Sequence, residues 1–263
     1  MHQSSSDSSN ASRPLAAVIL AAGKGTRLPG DGPKVAREVA GRPMIRWVVE
    51  AVRDVGARPI VLIVGHGADR VRGVFRGDDG DLVTIVQEQQ LGTGHATRCA
   101  AEALAGFDGD VLVLAGDGPL IQPETIQRLV ARHRSSGAAG TLAASTVADA
   151  TGYGRIIRDE NGRFEAIVEH ASATVEQREI REIYPSYACY DAKLLFEMLS
   201  HLVPDAASGE LRITDVPTQL KTDGHDIELV AGFPPQEVLS INTPEQLDQV
   251  GMILARRLEE ATP

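Results

Sequence analysis

The chain has 263 residues, 43% of them hydrophobic, enough for one large α/β domain or a domain with a substrate-binding lobe. Its 36 acidic against 26 basic side chains give a net charge of -10 and argue against a dominant basic nucleic-acid surface, although an acidic protein still binds a magnesium nucleotide where a few cations face the phosphates. Cys99 and Cys189 are the only cysteines, too few for a cysteine-rich zinc site or a dense disulfide framework, so a reducing cytoplasm is the simple reading, with one disulfide left geometrically open. The opening MHQSSSDSSNASRP is polar and Ser-rich without an apolar h-region, and reads as a disordered tail over residues 1–14 ahead of a folded region at 15–263. No apolar run approaches the roughly 20 residues that span a bilayer, so no membrane partner is expected.

From there strands and helices alternate. Leu15 to Leu20 is a short apolar run ending in a Gly-rich turn, as expected of a buried first strand. Helical spacing over Pro43–Val55 is followed by a strand at Pro59–Val64, a short helix at Gly67–Phe75 and a strand at Val83–Val86. Thr93–Leu104 reads as a helix, Asp110–Leu114 as a strand and Pro123–His133 as a helix. These repeated units predict a doubly wound, mainly parallel sheet. The later half is richer in short strands: Thr141–Thr146, then Tyr153–Arg158 and Phe164–Val168 as a hairpin about the turn DENG, then Ile183–Tyr190. A helix at Ala192–Leu202, strands at Glu228–Val230 and Glu237–Ile241, and a closing helix at Pro244–Leu258 complete the reading. One continuous domain with a smaller β-rich sublobe around residues 141–190 is expected, without internal repeats.

The chemistry concentrates first at LAAGKGTRLPGDGPK, Leu20 to Lys34. Small residues after a strand let backbone N–H groups approach a polyanion, and Arg27 and Lys34 supply positive charge beside them. Phosphoryl transfer mainly needs positioning and charge neutralisation, so the set is coherent. The segment is neither a Walker A loop nor the dinucleotide fingerprint, and an ordinary strand-to-helix turn would also use such glycines. Asp117 follows an apolar strand, which places its carboxylate at the carboxyl edge where α/β sheets bind ligands. Alone it would more readily serve as a turn residue or helix cap, and Asn242 as the start of the last helix.

LAAGKGTRL followed by GPK resembles the signature of sugar nucleotidyltransferases. EQQLGTGHA (Glu88–Ala96), GDGPL (Gly116–Leu120), TGYGRI (Thr151–Ile156) and IVE (Ile167–Glu169) resemble, in order and spacing, the uridylyltransferase domain of bacterial bifunctional N-acetylglucosamine-1-phosphate uridylyltransferases. The resemblance covers about Leu15 to Leu258. It implies a nucleotide-diphospho-sugar transferase fold with a sugar-binding sublobe, and an ordered, Mg²⁺-dependent reaction of UTP with a sugar 1-phosphate, most readily N-acetylglucosamine 1-phosphate. A sugar-phosphate oxygen attacks the α-phosphorus, pyrophosphate leaves, and no covalent enzyme intermediate is needed. By the same resemblance Leu20, Ala21, Ala22 and Gly23 line the nucleotide. Arg27 and Lys34 stabilise phosphate charge, Gln87, Gly92 and Thr93 read uracil, and Asp117 and Asn242 hold Mg²⁺.

On the sugar side Gly154 and Glu169 match family contacts, while Tyr184 stands where the family has Asn in an NTG segment. Tyr184 either touches the sugar or packs against the sheet. Ala171-Ser172 replaces a charged Lys-Asp pair, and a GEYYLTD-like block reads GELRITD, Gly209–Asp215. The family's β-helix acetyltransferase region has no counterpart before Pro263, so acetyl transfer and a β-helix-driven trimer are not expected, and no oligomeric partner is specified. The histidines form no metal-ligand pattern; His95 reads as a structural or helix-start residue, Cys99 as core and Trp47 as packing. A same-fold transferase using CTP or GTP, with a phosphorylated alcohol or molybdopterin as acceptor, and a non-catalytic nucleotide-sugar-binding regulator are the competing readings.

Overall fold

The computed structural model describes residues 13–260, except Thr26 and Asp79. The N-terminal tail expected over residues 1–14 therefore lies almost wholly outside the described residues. Alternation of buried strands and amphipathic helices produces a seven-stranded sheet. Its strands are β1 (Leu15–Ala21), β4 (Ile60–Val64), β5 (Leu82–Val86), β6 (Asp110–Ala115), β7 (Gly140–Ala143), β12 (Tyr187–Asp191) and β13 (Ile227–Val230). They lie in the order β13-β7-β12-β6-β1-β4-β5. Only β12 runs against its neighbours, β6 and β7; the other pairings are parallel.

The period-2 geometry of β1 explains how both faces of this sheet are covered. Ala17 and Ile19 join a core with Val48, Val52, Ile126 and Leu129, from α1 (Met44–Asp54) and α4 (Pro123–Ser136). Ala16 and Val18 face the other way, into a core with Leu195, Leu199 and Leu220, from α6 (Ala192–His201) and α7 (Asp215–Thr222). Pro123 occupies the first turn of α4 and Gly137 its left-handed C-cap, while the Asp191 carboxylate accepts the Leu194 N–H to start α6.

A second sheet, β10-β9-β11-β8, is built within residues 145–184 from β8 (Ser145–Thr146), β9 (Gly154–Arg158), β10 (Phe164–Val168) and β11 (Glu182–Tyr184). The DENG turn joins β9 to β10 as expected, with Gly162 at φ 75° and the Gly162 N–H donating to Asp159 O. A small hairpin, β2 (Glu38–Val39) with β3 (Arg42–Pro43), and the short helices α2 (Ala68–Val74), α3 (Thr93–Arg98) and α5 (Val175–Arg178) complete the first part, and α8 (Pro244–Glu260) closes the described chain.

Several expectations are corrected. Ile183–Tyr190 is not one strand: it is cut at Pro185-Ser186, with Ser186 at φ 65°, so β11 joins the small sheet and β12 the large one. Thr141–Thr146 divides the same way between β7 and β8. The helix expected over Thr93–Leu104 is regular only to Arg98, and Glu237–Ile241 forms no strand. Helix α7 and the β2-β3 hairpin were not foreseen. Cys99 and Cys189 are both free thiols. Among the described residues no helix is long and apolar enough to cross a membrane.

Candidate active site

β1 is flanked by β4 on one side and β6 on the other, so the chain reverses its winding direction between β1 and β6. Ligands of open α/β sheets bind in the crevice at the carboxyl ends of such strands. A cavity of about 700 Å³ opens there, walled by Leu20–Gly25 at and beyond the end of β1, by Ala115 at the end of β6 and by Asp117 beyond it.

The first turn is held by its flanks rather than by its own hydrogen bonds. Gly116 N–H donates to Leu20 O and the Gln90 amide to Ala22 O, while no acceptor among the described residues takes the N–H groups of Ala22, Gly23 or Lys24. Those groups remain for a ligand. Gly25, at φ 62°, is required by close approach: a Cβ there would stand 2.5 Å from Lys34 Cβ. This packing carries Lys34, at the head of the 3-10 turn Lys34–Ala36, back across the cavity.

Lys34 Nζ donates to Asp117 Oδ2 at 2.5 Å and to Asn242 Oδ1 at 2.8 Å, and Arg27 Nη2 donates to the same Asn242 oxygen at 3.1 Å. The four residues expected for phosphate and metal handling thus form one cluster, although Asp117 and Asn242 are 125 positions apart (242 minus 117). A backbone bond from Ile241 N–H to Asp117 O joins their segments. Asn242 is fixed from the other side by a capping box: the Gln246 carboxamide oxygen accepts the Asn242 and Thr243 N–H groups, and Thr243 Oγ1 accepts the Gln246 N–H. Pro244 then opens α8.

Gln87, Gly92 and Thr93 line the opposite wall. Gln87 follows β5 and is only 4% exposed. Its Nε2 donates to Gly92 O at 3.1 Å and contacts His95 Nδ1 at 2.9 Å. Gly92 sits at φ 100°, and a Cβ there would meet Leu211 O at 2.5 Å. Burial, with the nearby Arg98, pushes the His95 imidazole below its ordinary value.

Sequence reasoning missed the segment Glu210–Thr214, which runs along this wall. Leu211 N–H donates to Leu91 O, Gly94 N–H to Leu211 O, and Ile213 N–H to Thr93 Oγ1. Thr214 Oγ1 then donates to Glu169 Oε1 at 2.8 Å. The GELRITD block was the available signal. Tyr153 and Ser186 also line the cavity; Tyr153 ties the segment before Asn242 by donating to Val238 O and accepting from Ser240 N–H.

Glu169, expected on the sugar side, lines the cavity. Gly154 lies beneath it: a Cβ at Gly154 would be 3.8 Å from Glu169 Oε2. Tyr184 corrects the expectation of a sugar contact. It is 2% exposed, packs in the core with Ile156, Phe164 and Tyr190, and is absent from the cavity wall, which Pro185 and Ser186 supply instead. A bulky phenol on the inward face of β11 gains more from apolar burial than from the cavity, and that burial drives its hydroxyl pKa well up.

The MobA-like NTP transferase domain pattern matches residues 17–214, three quarters of the chain and both cavity walls. The chain belongs to the MobA-like NTP transferase family. It is a nucleotidyltransferase. Three relatives named bifunctional protein GlmU are similar along most of it. That of Pelobacter propionicus is 45% identical over 244 residues, covering 93% of this chain and 53% of the relative. That of Geotalea daltonii is 42% identical over 250 residues, with 94% and 54% covered, and that of Geobacter metallireducens 43% identical over 244, with 93% and 51% covered. The chain spans about half the length of these curated relatives. The uridylyltransferase-domain resemblance read from its motifs, and the nucleotide-diphospho-sugar transferase fold, hold.

Proposed function

We propose that this nucleotidyltransferase moves a uridylyl group from UTP to a sugar 1-phosphate, N-acetylglucosamine 1-phosphate being the first candidate, and releases pyrophosphate. The observation that carries the reading is the convergence of Lys34, Arg27, Asp117 and Asn242 at the mouth of the Leu20–Gly25 turn, with Glu169 in the same cavity. The similarity to relatives named GlmU over nearly the whole chain supports the same choice.

Mg²⁺ fits the donors present. Asp117 Oδ2 and Asn242 Oδ1 already converge on a cation, the Lys34 ammonium, and two hard oxygens leave the remaining positions to water and phosphate, as this metal prefers. No group of three or more His, Cys, Asp or Glu side chains able to hold a metal occurs among the described residues; Asp117 and Asn242 would supply one carboxylate and one amide oxygen. Bound there, Mg²⁺ would screen the charge of the phosphates.

The chain's own groups do the rest. The unpaired N–H groups of Ala22–Lys24 receive phosphate oxygens, and Arg27 and Lys34 offset the charge that builds on the leaving pyrophosphate. Glu169, held by Thr214, accepts hydrogen bonds from sugar hydroxyls and so orients the sugar phosphate toward the α-phosphorus. The sugar phosphate is already anionic, so the attack requires no general base.

Pyrophosphate release from a matrix of UTP, CTP and GTP against several sugar 1-phosphates, with and without Mg²⁺, tests the proposal. Turnover with UTP and Mg²⁺ is expected. Turnover confined to another nucleotide, or nucleotide binding without turnover for every acceptor, would refute it.

A further inference from the structure

The hydrogen bonds of Gln87 assign a direction to its carboxamide. Gly92 O can only accept, so the group 3.1 Å from it is the amide nitrogen. The second N–H of that nitrogen points at His95 Nδ1, 2.9 Å away. His95 is therefore an acceptor at Nδ1 and carries its proton on Nε2, which agrees with the burial that keeps the ring neutral. Both amide protons are used behind the wall, and Oε1 accepts no hydrogen bond from any described residue. Gln87 lines the cavity, while His95 does not. What the side chain offers a base is an acceptor.

We propose that His95 is a positioning residue that sets pyrimidine choice by locking the Gln87 carboxamide with its oxygen toward the base. Uracil presents an N3–H donor, which that oxygen accepts. Cytosine presents an N3 lone pair, which it repels. With His95 in place a flip of the carboxamide breaks two hydrogen bonds and sets Oε1 against Gly92 O. Without it, one of those bonds is already gone and the second N–H is free to turn to the cavity. The geometry gives the histidine of GTGHA a task that neither helix start nor acid/base chemistry requires. The inference rests on the uridylyl reading above.

The test compares kcat/KM for UTP and CTP, at saturating N-acetylglucosamine 1-phosphate and Mg²⁺, in the wild type, His95→Phe and His95→Asn. Phe keeps the ring and drops the acceptor; Asn keeps an acceptor near the Nδ1 position. In His95→Phe the UTP-to-CTP ratio should fall by about tenfold, the worth of one hydrogen bond, through a higher KM for UTP with kcat little changed. His95→Asn should keep most of the wild-type ratio. If His95→Phe melts early, His95→Leu gives the same reading with a smaller side chain. An undiminished ratio in the variant lacking the acceptor, or an Asn variant as unselective as Phe, would remove His95 from this role while leaving UTP use intact. A wild type that turns over only CTP or GTP would overturn the uridylyl reading and this inference together.

Discussion

Replacing Lys34 by Met should tighten metal binding in the nucleotide-free protein. Lys34 Nζ sits 2.5 Å from Asp117 Oδ2 and 2.8 Å from Asn242 Oδ1, and Mg²⁺ would use the same two oxygens at about 2.0–2.1 Å. The two cations cannot share them, so metal entry must expel the ammonium. Lys34 is 11% and Asp117 21% exposed, which places the pair between a surface ion pair and a buried one. A charge-assisted hydrogen bond is worth about 1.5–3 kcal/mol, and resolvation of the expelled ammonium recovers part of that, leaving about 1–2 kcal/mol set against the metal. Met keeps the aliphatic stem packed on Gly25 and removes this competition, so affinity should rise roughly 5- to 30-fold. Titration with Mn²⁺, following loss of the free-ion paramagnetic resonance signal without nucleotide, measures it. Turnover should fall at the same time, because the ammonium that leaves the carboxylate is the one that meets the phosphates. Unchanged or weaker Mn²⁺ binding in Lys34→Met would refute the competition.

Asp117→Ala should lose roughly 10³-fold or more in turnover while its stability changes by less than about 1 kcal/mol, since its ion pair is partly exposed; near-normal turnover would take Asp117 out of the metal role. Thr214→Val, which removes the donor to Glu169 Oε1, should raise the KM for the sugar 1-phosphate about tenfold with the UTP KM unchanged, and Thr214→Ser should restore it; equal effects on both substrates would contradict a sugar-side role. Asp110, 1% exposed at the far end of β6, accepts from Arg134 Nε at 2.9 Å and pairs with Arg13. Burial raises its carboxyl pKa, but the nearby His133 ring, 3.6 Å away, the hydrogen bond from Arg134 and the charge of Arg13 together outweigh it and leave the group below the usual range. A depressed carboxyl stabilises the fold above its unfolded value of about 3.9 and loses that contribution as pH falls through the folded value. Asp110→Asn should therefore cost about 3 kcal/mol in urea unfolding at pH 7 and flatten the decline below about pH 4, with an acid limb as steep as the wild type's counting against the assignment.

The sheet was legible because its signals are local. Ala16–Ile19, Val61–Ile63 and Val111–Leu114 are apolar on both faces, as buried parallel strands must be, and helices with one apolar face fall between them. The errors came where the partner of a segment decides its form. Pro185 marks a break in Ile183–Tyr190, but not that Ser186 takes φ 65° and sends the two halves to different sheets. That corner also explains Tyr184: an even choice between sugar contact and packing is settled by which face of β11 meets the core. In Thr93–Leu104 the helical spacing runs on past Arg98, yet the chain there continues as turns.

The site was legible in identity but not in connection. Arg27, Lys34, Asp117 and Asn242 were each named from motifs, yet what sets Asn242 beside Asp117 is one backbone bond, Ile241 N–H to Asp117 O, and one capping box. Neither leaves a mark beyond Thr-x-x-Gln. The segment Glu210–Thr214 shows the same thing on a larger scale. It contacts the loop bearing Gly92 and Thr93 through three hydrogen bonds and reaches Glu169 through a fourth. A displacement of the loop bearing Gly92 and Thr93 is passed along these bonds to Thr214 and to the Glu169 carboxylate, the group proposed to hold the sugar. If the proposed reaction takes the nucleotide first, such a connection gives the first ligand a way to improve the site of the second. The wiring is made largely of main-chain groups, which any sequence would supply; only the pairing, created by the fold, gives it a direction.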